Sequence, residues 1–285
     1  MIPQQGGDVA VKLVKILLPI DQRGTTEACA KFAFGLAGRS GAALEVLHAC
    51  PAPTDRLPYA TELSPVYFEE LVDVGKKQVE LEQRQAQAWL AATSRAFPNV
   101  RATFLHLEDP VTHTVATRAK AADLTVLPSI AASADPFFAL ARDAALFNSG
   151  HPMLVVPNET RGFNASTVVI AWKDTVEAVR ALAASAPFLA AAKHVKLISI
   201  AEYEDEDETA AMMADYLKQG GVNVELASLA RHGRDVGEVL VEAASGEDML
   251  LVMGAYGHWR WREYVLGGAT HHVLRHTQVP VLLSH

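Results

Sequence analysis

Four glycines near the end of the chain have the spacing of an anion-binding loop. Gly254 and Gly257 follow the apolar run 249–253, which is typical of a strand buried on both faces of a parallel sheet, and Gly267 and Gly268 precede a helix. Glycine leaves backbone N–H groups free of side chains, and free N–H groups at a helix N-terminus bind anions, most often phosphate. The pattern predicts a phosphate site where this loop meets the helix.

Side chains beside the glycines could complete such a site. Ala269 and Thr270 begin the helix, and the Thr270 hydroxyl could face the same ligand. The segment His258–Arg262 reads His-Trp-Arg-Trp-Arg, which could set an arginine on phosphates and an indole against a base. Exposed Trp and Arg are equally typical of a protein–protein hot spot, so both interpretations stay open.

Evidence for a metal or for catalysis is thin. His272 and His276 are four residues apart, as two zinc ligands on one helix face would be, but no Cys or Glu follows at ligand spacing. We therefore expect these histidines, with His271, to have a polar or interface role. The chain has no Gly-x-Ser-x-Gly, HExxH or CxxC motif, and we predict no catalytic residue.

Composition excludes several classes of protein. The net charge is −8, and no basic stripe is evident, which argues against a nucleic-acid partner. No apolar run reaches the roughly 18 residues that a membrane span needs. The two cysteines, Cys29 and Cys50, lie in apolar context, as expected in a reducing compartment, so we expect a cytoplasmic protein.

Strand and helix patterns alternate along the chain. The first half predicts strands near 14–20, 44–48, 100–106, 123–127 and 151–157, with helices at 25–38, 70–96, 110 onward and 137–148 between them. In the long helix, Leu71, Val74, Leu81 and Trp89 recur at helical intervals. This alternation predicts an α/β fold with a parallel sheet and helices on both faces.

The pattern then starts again, which indicates an internal duplication. Residues 152–157 recur in character as 280–285, and 123–127 recur as 248–252. The second half predicts a strand at 167–171, a helix at 176–191, and further alternation to the end. We therefore predict two domains, at 9–158 and 165–285, with a polar linker between them.

The glycine spacing, Gly254-x2-Gly257-x9-Gly267-Gly268, resembles the G-x2-G-x9-G-(S/T) nucleotide loop of the universal stress protein family. Gly268 departs from the pattern, because Ser or Thr is usual there. The resemblance covers nearly the whole chain and implies two tandem, open, five-stranded parallel-sheet domains of the adenine nucleotide α-hydrolase type. It also implies that ATP is the ligand, with its ribose and phosphates in this loop.

The same resemblance separates the two halves. The family places an acidic residue after the first strand, and the first half has Asp21 there. The first half, however, has Ala139-Leu140 where Gly267-Gly268 should align, so we expect Leu140 to block phosphate at the helix entrance. In the second half, Ala171-Trp172-Lys173 puts a lysine at the acid's position; lysine favours a polyphosphate but cannot ligate Mg²⁺. Bound Mg²⁺ is therefore in doubt.

These features predict a cytoplasmic stress-response regulator that binds ATP in its second domain, near Ala171, Trp172, Lys173, Gly254, Gly257, His258 and Gly267–Thr270. One alternative is an interaction protein with a vestigial loop; a weaker one is a slow ATP hydrolase. Single-domain members of the family pair through their last strand, so we expect 153–156 and 281–283 to pair within one chain. A homodimer or a protein partner is also open.

Overall fold

Strands and helices alternate through the computed structural model, which describes residues 12–56, 64–162, 165–203, 207–255 and 268–285. The first half contains a 3₁₀ turn at Pro53–Arg56 and, in chain order, β1 (Lys15–Ile20), α1 (Glu27–Ser40), β2 (Ala43–Cys50), α2 (Pro65–Ser94), β3 (Ala102–Glu108), α3 (Val111–Ala119), β4 (Leu124–Pro128), α4 (Pro136–Asn148) and β5 (Met153–Val156).

The second half repeats this order with one additional short helix. Its elements are β6 (Thr167–Ala171), α5 (Val176–Ala184), α6 (Ala186–Leu189), β7 (His194–Ala201), α7 (Glu208–Gln219), β8 (Val224–Ala230), α8 (Val236–Ala243), β9 (Met249–Gly254), α9 (Gly268–His276) and β10 (Val281–Ser284). The single helix predicted at 176–191 is divided at Ser185, because Pro187 has no N–H to continue the helical hydrogen bonds.

Helix starts follow local side-chain chemistry. Thr26 accepts a hydrogen bond from the Cys29 N–H at the start of α1, and Thr175 does the same for Ala178 in α5. An N-cap of this kind satisfies one of the N–H groups that the first helical turn leaves without a partner. The caps fix where each strand-to-helix connection ends, and these connections carry the candidate sites.

The ten strands of the described ranges form one sheet, in the order β3-β2-β1-β4-β5-β10-β9-β6-β7-β8. Pairing within each half is parallel, and the halves meet where β5 and β10 pair antiparallel. Val155 lies opposite Val281, and Leu154 opposite Leu282. This confirms the prediction that the terminal strands pair within one chain, and it makes the two five-stranded sheets continuous.

The core has a layer on each face of this sheet. Ile16 and Leu18 of β1 pack with α1, whereas Leu17 packs on the other face with residues of α3 and α4. The same alternation holds in β9 and β10, so every central strand is covered by helices on both sides. Over the described residues, no helix is both long and apolar enough to cross a membrane.

Helix α2 differs from its sequence interpretation. Its core-facing residues are Val79, Glu82, Ala86 and Leu90, whereas Val74 is 64% exposed and Leu81 is 46% exposed. Two of the four periodic apolar residues thus lie on the outer face, whereas Leu71 is partly buried and Trp89 packs against the core. The pattern misled because Glu82, a charged residue, occupies the inner face.

We expect the two halves to associate when they are produced as separate chains, residues 1–160 and 165–285. Pairing of β5 with β10 hides two predominantly apolar strands, and Leu282 is fully buried. Mixing the fragments should give a 1:1 complex in sedimentation velocity.

A matched pair of substitutions in the second fragment tests the location of the contact. Leu282→Lys should abolish association because it places a charge in a buried strand pair. Leu226→Lys, on the outer edge strand β8 where Leu226 is 40% exposed, should leave it unchanged. Two stable fragments that remain monomeric after mixing would contradict the prediction.

Candidate functional site

In the second half, the predicted ligand residues gather where β6 and β9 end. The two strands are neighbours in the sheet, and Ala171 lies directly opposite Met253. From β6 the chain crosses to β7 on the opposite side, so the ends of β6 and β9 flank a topological switch. Open α/β sheets bind ligands at the carboxyl ends of strands at such a point.

Gly254 is required by packing against the start of α5. A Cβ at this position would lie 2.6 Å from the Ala178 backbone nitrogen, closer than real side chains approach. The end of β9 therefore meets the first turn of α5 backbone to backbone. Part of the glycine pattern thus has a steric explanation that is independent of any ligand.

Gly268 lies in a different environment, at the start of the described part of α9. It is exposed, and the nearest heavy atom to a Cβ built there is the Asp235 Oδ2 atom at 3.6 Å. The other carboxylate oxygen, Asp235 Oδ1, accepts a hydrogen bond of 2.7 Å from the Gly237 N–H and caps α8. Among the described residues, a carboxylate oxygen is thus the group nearest to a side chain at the first described residue of α9.

The other predicted residues divide by accessibility. Lys173 is exposed just beyond the end of β6, and Ala171 and Ala269 are partly buried. Trp172 is buried, and its Nε1–H donates to Thr209 Oγ1 at 3.0 Å, so its indole belongs to the core. Thr270 is also buried. Gly257, His258 and Gly267 lie outside the described residues.

The histidines of α9 do not assemble a metal centre in the described structure. The rings of His272 and His276 lie 4.2 Å apart between centroids, and the Nδ1 of His276 lies 2.9 Å from the His272 carbonyl oxygen. Across the described ranges, no three His, Cys, Asp or Glu side chains are placed to hold a metal ion.

In the first half, a side chain of the protein itself occupies the start of the equivalent helix, α4. Asp21, just beyond β1, is buried and pairs with Arg23 at 3.0 Å. Arg23 Nη2 also contacts Asp135 Oδ2 at 2.6 Å, and Asp135 Oδ1 accepts from the Phe137 N–H at 2.9 Å. A carboxylate thus already occupies the N-terminus of α4, where a phosphate would bind.

The expected obstruction by Leu140 is wrong in its location. Helix α4 begins at Pro136, so Leu140 lies in its second turn and is 45% exposed. The connection is short, 129–135, and Arg142 Nη1 donates to the Pro128 carbonyl oxygen at 2.9 Å beneath it.

Comparison with known proteins decides the family. The sequence model of the universal stress protein family matches residues 13–138 and again 170–285. The chain belongs to the universal stress protein family. Two matches along one chain agree with the duplication and confirm a tandem member. No curated protein sequence gives a significant match.

Solved structures support the same fold. A universal stress protein from Archaeoglobus fulgidus DSM 4304 is similar over 95% of both chains, with 15% identity and a TM-score of 0.62. A putative universal stress protein from Pseudomonas aeruginosa UCBPP-PA14 covers 95% of this chain and 93% of its own, with 13% identity and a TM-score of 0.54. At these identities the likeness shows the fold alone.

This universal stress protein also has a cavity of about 310 Å³ at the carboxyl ends of β1 and β2. It is lined by buried polar groups that sequence reasoning missed, among them His48 and Glu82. Arg56 and Glu82 form a bidentate pair with distances of 2.9 and 2.7 Å. The hydrogen bonds from Arg56 lower the pKa of Glu82, and burial raises the pKa of the nearby Cys50 thiol.

His48 and His106 form an unusual buried contact at the end of this cavity. Their Nδ1 atoms are 2.9 Å apart, so one ring must donate and the other accept. Burial, with the charge of His106 as a second cause, lowers the pKa of His48 to about 4. The two histidines lie opposite each other on β2 and β3, a register that the sequence does not signal.

This pair predicts that stability falls as the pH drops. Between pH 6.5 and about 4, the unfolded chain binds a proton at His48 whereas the folded chain does not, so unfolding becomes easier with acid. One such proton gives a slope of at most about 1.4 kcal/mol per pH unit. Urea unfolding at several pH values measures it.

His48→Asn should flatten this dependence, because the substitution keeps a hydrogen-bonding side chain and removes the titration. His113→Asn is the matched control, since the His113 side chain is 70% exposed and should leave the slope as it is. Equal slopes in the wild-type and His48→Asn proteins would show that the pair does not carry the effect.

Proposed function

We propose that this universal stress protein is a regulator that binds one adenine nucleotide, ATP, in its second half. The observation that carries the proposal is the arrangement of strand ends: β6 and β9 end side by side, and the glycine-containing sequence 254–268 joins β9 to α9 along the chain. That is where an open parallel sheet binds a ligand and where a helix N-terminus favours phosphate.

The charges between the end of β6 and the start of α9 favour a polyphosphate on the side of Lys173. Lys173 is exposed next to the end of β6 and can reach an anion, and the helix dipole of α9 adds positive potential at Gly268. We assign the base and ribose to the side of Ala171 and Trp172, through backbone atoms because the Trp172 ring is buried. The phosphates face Gly267, Gly268 and Ala269.

Asp235 works against phosphate at the same place. Its Oδ2 atom lies beside Gly268, and an unscreened carboxylate repels an anion. A Mg²⁺ ion that arrives on the nucleotide's own phosphates would remove this repulsion, since carboxylate oxygen is a ligand that Mg²⁺ accepts. We therefore infer that any Mg²⁺ enters with ATP and is not held by the protein alone.

The same carboxylate favours a second candidate, an interaction protein with a vestigial loop. Two features weaken the case for phosphate. Gly268 stands where the family has Ser or Thr, and Asp235 lies beside Gly268. ATP binding distinguishes the two. We also propose domain bounds of 9–158 and 165–285 and a cytoplasmic location, which suits two free, buried cysteines.

We predict one ATP per chain in calorimetric titration with Mg²⁺ present. Gly267→Val should abolish binding, and Gly268→Val should weaken it at least tenfold, about 1.4 kcal/mol, because a side chain would cover the helix start. The Gly268→Val protein should still fold, since a Cβ at Gly268 meets no described atom closer than 3.6 Å.

Two further substitutions serve as controls for this titration. Asp21→Ala should leave ATP affinity unchanged, because Asp21 pairs with Arg23 in the other half. Asp235→Asn should bind ATP more tightly in the absence of Mg²⁺, since it removes the opposing charge. Two equivalent sites, or full binding by the Gly267→Val protein, would refute the assignment.

We predict binding without appreciable turnover. Backbone donors hold phosphate but do not activate water, and hydrolysis needs a positioned water and usually a metal. Release of phosphate should stay below one equivalent per chain over hours, measured with purified protein and excess ATP. Sustained release that Gly267→Val abolishes would favour the hydrolase alternative.

A further inference from the structure

Four side chains of metal-binding type lie on one face of the sheet, at the carboxyl ends of β2 and β3. His48 and Cys50 are two residues apart on β2, so they project to the same side. On β3, His106 lies opposite His48 and Glu108 lies opposite Cys50. Neighbouring strands are about 4.8 Å apart and alternate residues about 6.6 Å, so the four positions form a compact rectangle.

The duplicated half shows that the fold does not need these groups. Strands β7 and β8 repeat β2 and β3, with the same pairing at their ends. At the four equivalent positions they carry only small side chains, without nitrogen, sulfur or carboxylate: Ser199, Ala201, Ser228 and Ala230. The concentration of stronger metal ligands in the first half is therefore not a requirement of the sheet.

The two histidines already face each other in a buried position. Their Nδ1 atoms are 2.9 Å apart, His48 is 1% exposed and the His106 side chain is 10% exposed. In a tetrahedral site with Zn–N bonds of about 2.0–2.1 Å, two ligating nitrogens are roughly 3.3 Å apart. An increase of about 0.4 Å would thus let one ion replace the proton between the two rings.

The second ring nitrogen of His106 supports metal binding through Nδ1. His106 Nε2 is buried without a hydrogen-bond partner, since the nearby Glu108 Oε1 atom is 3.9 Å away. A histidine that binds a metal through one nitrogen almost always donates from the other, often to a carboxylate. With Nδ1 on a metal, Nε2 carries the proton, and the half-exposed Glu108 side chain can turn to accept it.

The charges around these residues suit a divalent cation. Arg56 lies close to Cys50 and by itself would repel a cation, but Glu82 holds it through two hydrogen bonds and offsets its charge. A Cys50 thiolate and the Glu108 carboxylate then supply two negative charges against the two positive charges of the ion. A buried ion needs compensation of this kind.

We propose that His48, His106 and Cys50 bind one transition-metal ion of the Zn²⁺ type, through both Nδ1 atoms and the cysteine sulfur. Imidazole and thiolate are ligands that Zn²⁺ prefers, whereas Mg²⁺ and Ca²⁺ take oxygen. The site is separate from the nucleotide site proposed for the second half. Because β3 is an outer strand of the sheet, the ion would tie this edge to β2.

Metal binding requires one side chain to move. Only the two histidines converge in the structure, and across the described ranges no three ligating groups are placed around one point. Rotation of Cys50 about its Cα–Cβ bond to another staggered position is the change that we expect. His48 and Cys50 line the cavity of about 310 Å³, which gives room for this rotation and for a water as the fourth ligand.

Competition with a chromophoric chelator tests the proposal on the full chain, freed of metal beforehand. We expect the wild type to bind one Zn²⁺. Cys50→Ala should weaken binding at least about a hundredfold, because loss of a direct ligand costs more than loss of an outer partner. It should fold, since Ala201 stands at the equivalent position. Cys29→Ala is the matched control, because Cys29 lies buried in α1, and it should bind as the wild type does.

Co²⁺ in place of Zn²⁺ reports on the ligands directly. Thiolate-to-cobalt charge-transfer absorption should appear in the wild type and in Cys29→Ala and be missing in Cys50→Ala. Glu108→Gln should keep this absorption and bind about 10-fold to 100-fold more weakly, as expected of an outer partner. The pH-dependent stability of the histidine pair belongs to the metal-free form.

His272 and His276 on α9 are a second place where Zn²⁺ could bind. His276→Asn should leave the Zn²⁺ affinity unchanged, and its loss in this variant would place the ion on α9 and overturn the proposal. A wild-type protein that binds no Zn²⁺ would also overturn it. So would Co²⁺ binding without the thiolate absorption, or full affinity in Cys50→Ala.

Discussion

The antiparallel contact between β5 and β10 is the interaction on which the rest of the structure depends. Each half is a parallel sheet that would end in a predominantly apolar strand, and an exposed apolar edge strand invites aggregation. Residues 153–156 and 281–284 solve this problem for each other, and the residues of both strands are buried. The contact also fixes the orientation of the halves, because hydrogen bonds between strands allow one register.

That single contact does not involve the carboxyl ends of the central strands, so the two halves can differ there. Stability requires the buried strands and the helix faces that cover them, and both halves keep these features. The connections at the carboxyl ends of the strands are not needed for this stability, since they lie outside the layers. In the first half, Asp21 and Arg23 after β1 pair with each other, and Arg23 also pairs with Asp135 before α4. The second half keeps a long sequence bounded by glycines between β9 and α9.

Much of the fold could be predicted because it depends on local pattern. Buried parallel strands are continuous apolar runs, and the recurrence of 152–157 as 280–285 indicated both the duplication and the strand pair. The outer face of α2 could not be predicted in this way. Periodicity shows that a helix has an apolar face but not which face the core covers, and Glu82 is buried only because Arg56 meets it across a loop. For the same reason, the pair of His48 and His106 depends on strand register that only the fold supplies.

The candidate site, too, could be predicted only in part from the sequence. Alignment of Ala139-Leu140 with Gly267-Gly268 located the difference between the halves, but side-chain bulk at the helix start is not its cause. Helix α4 begins at Pro136, and Asp135 satisfies its first turn with an internal carboxylate that Arg23 neutralises. An anion site at a helix start can therefore be removed by placing a charged residue of the chain itself there. The change needs an acidic N-cap and one cation to neutralise it, and it leaves the fold intact. In the second half Asp235 caps the neighbouring helix α8, so that its free oxygen only borders the space in front of α9. The two halves thus place one carboxylate each near the same helix end. In the first half that carboxylate caps α4 itself, whereas in the second half it caps α8.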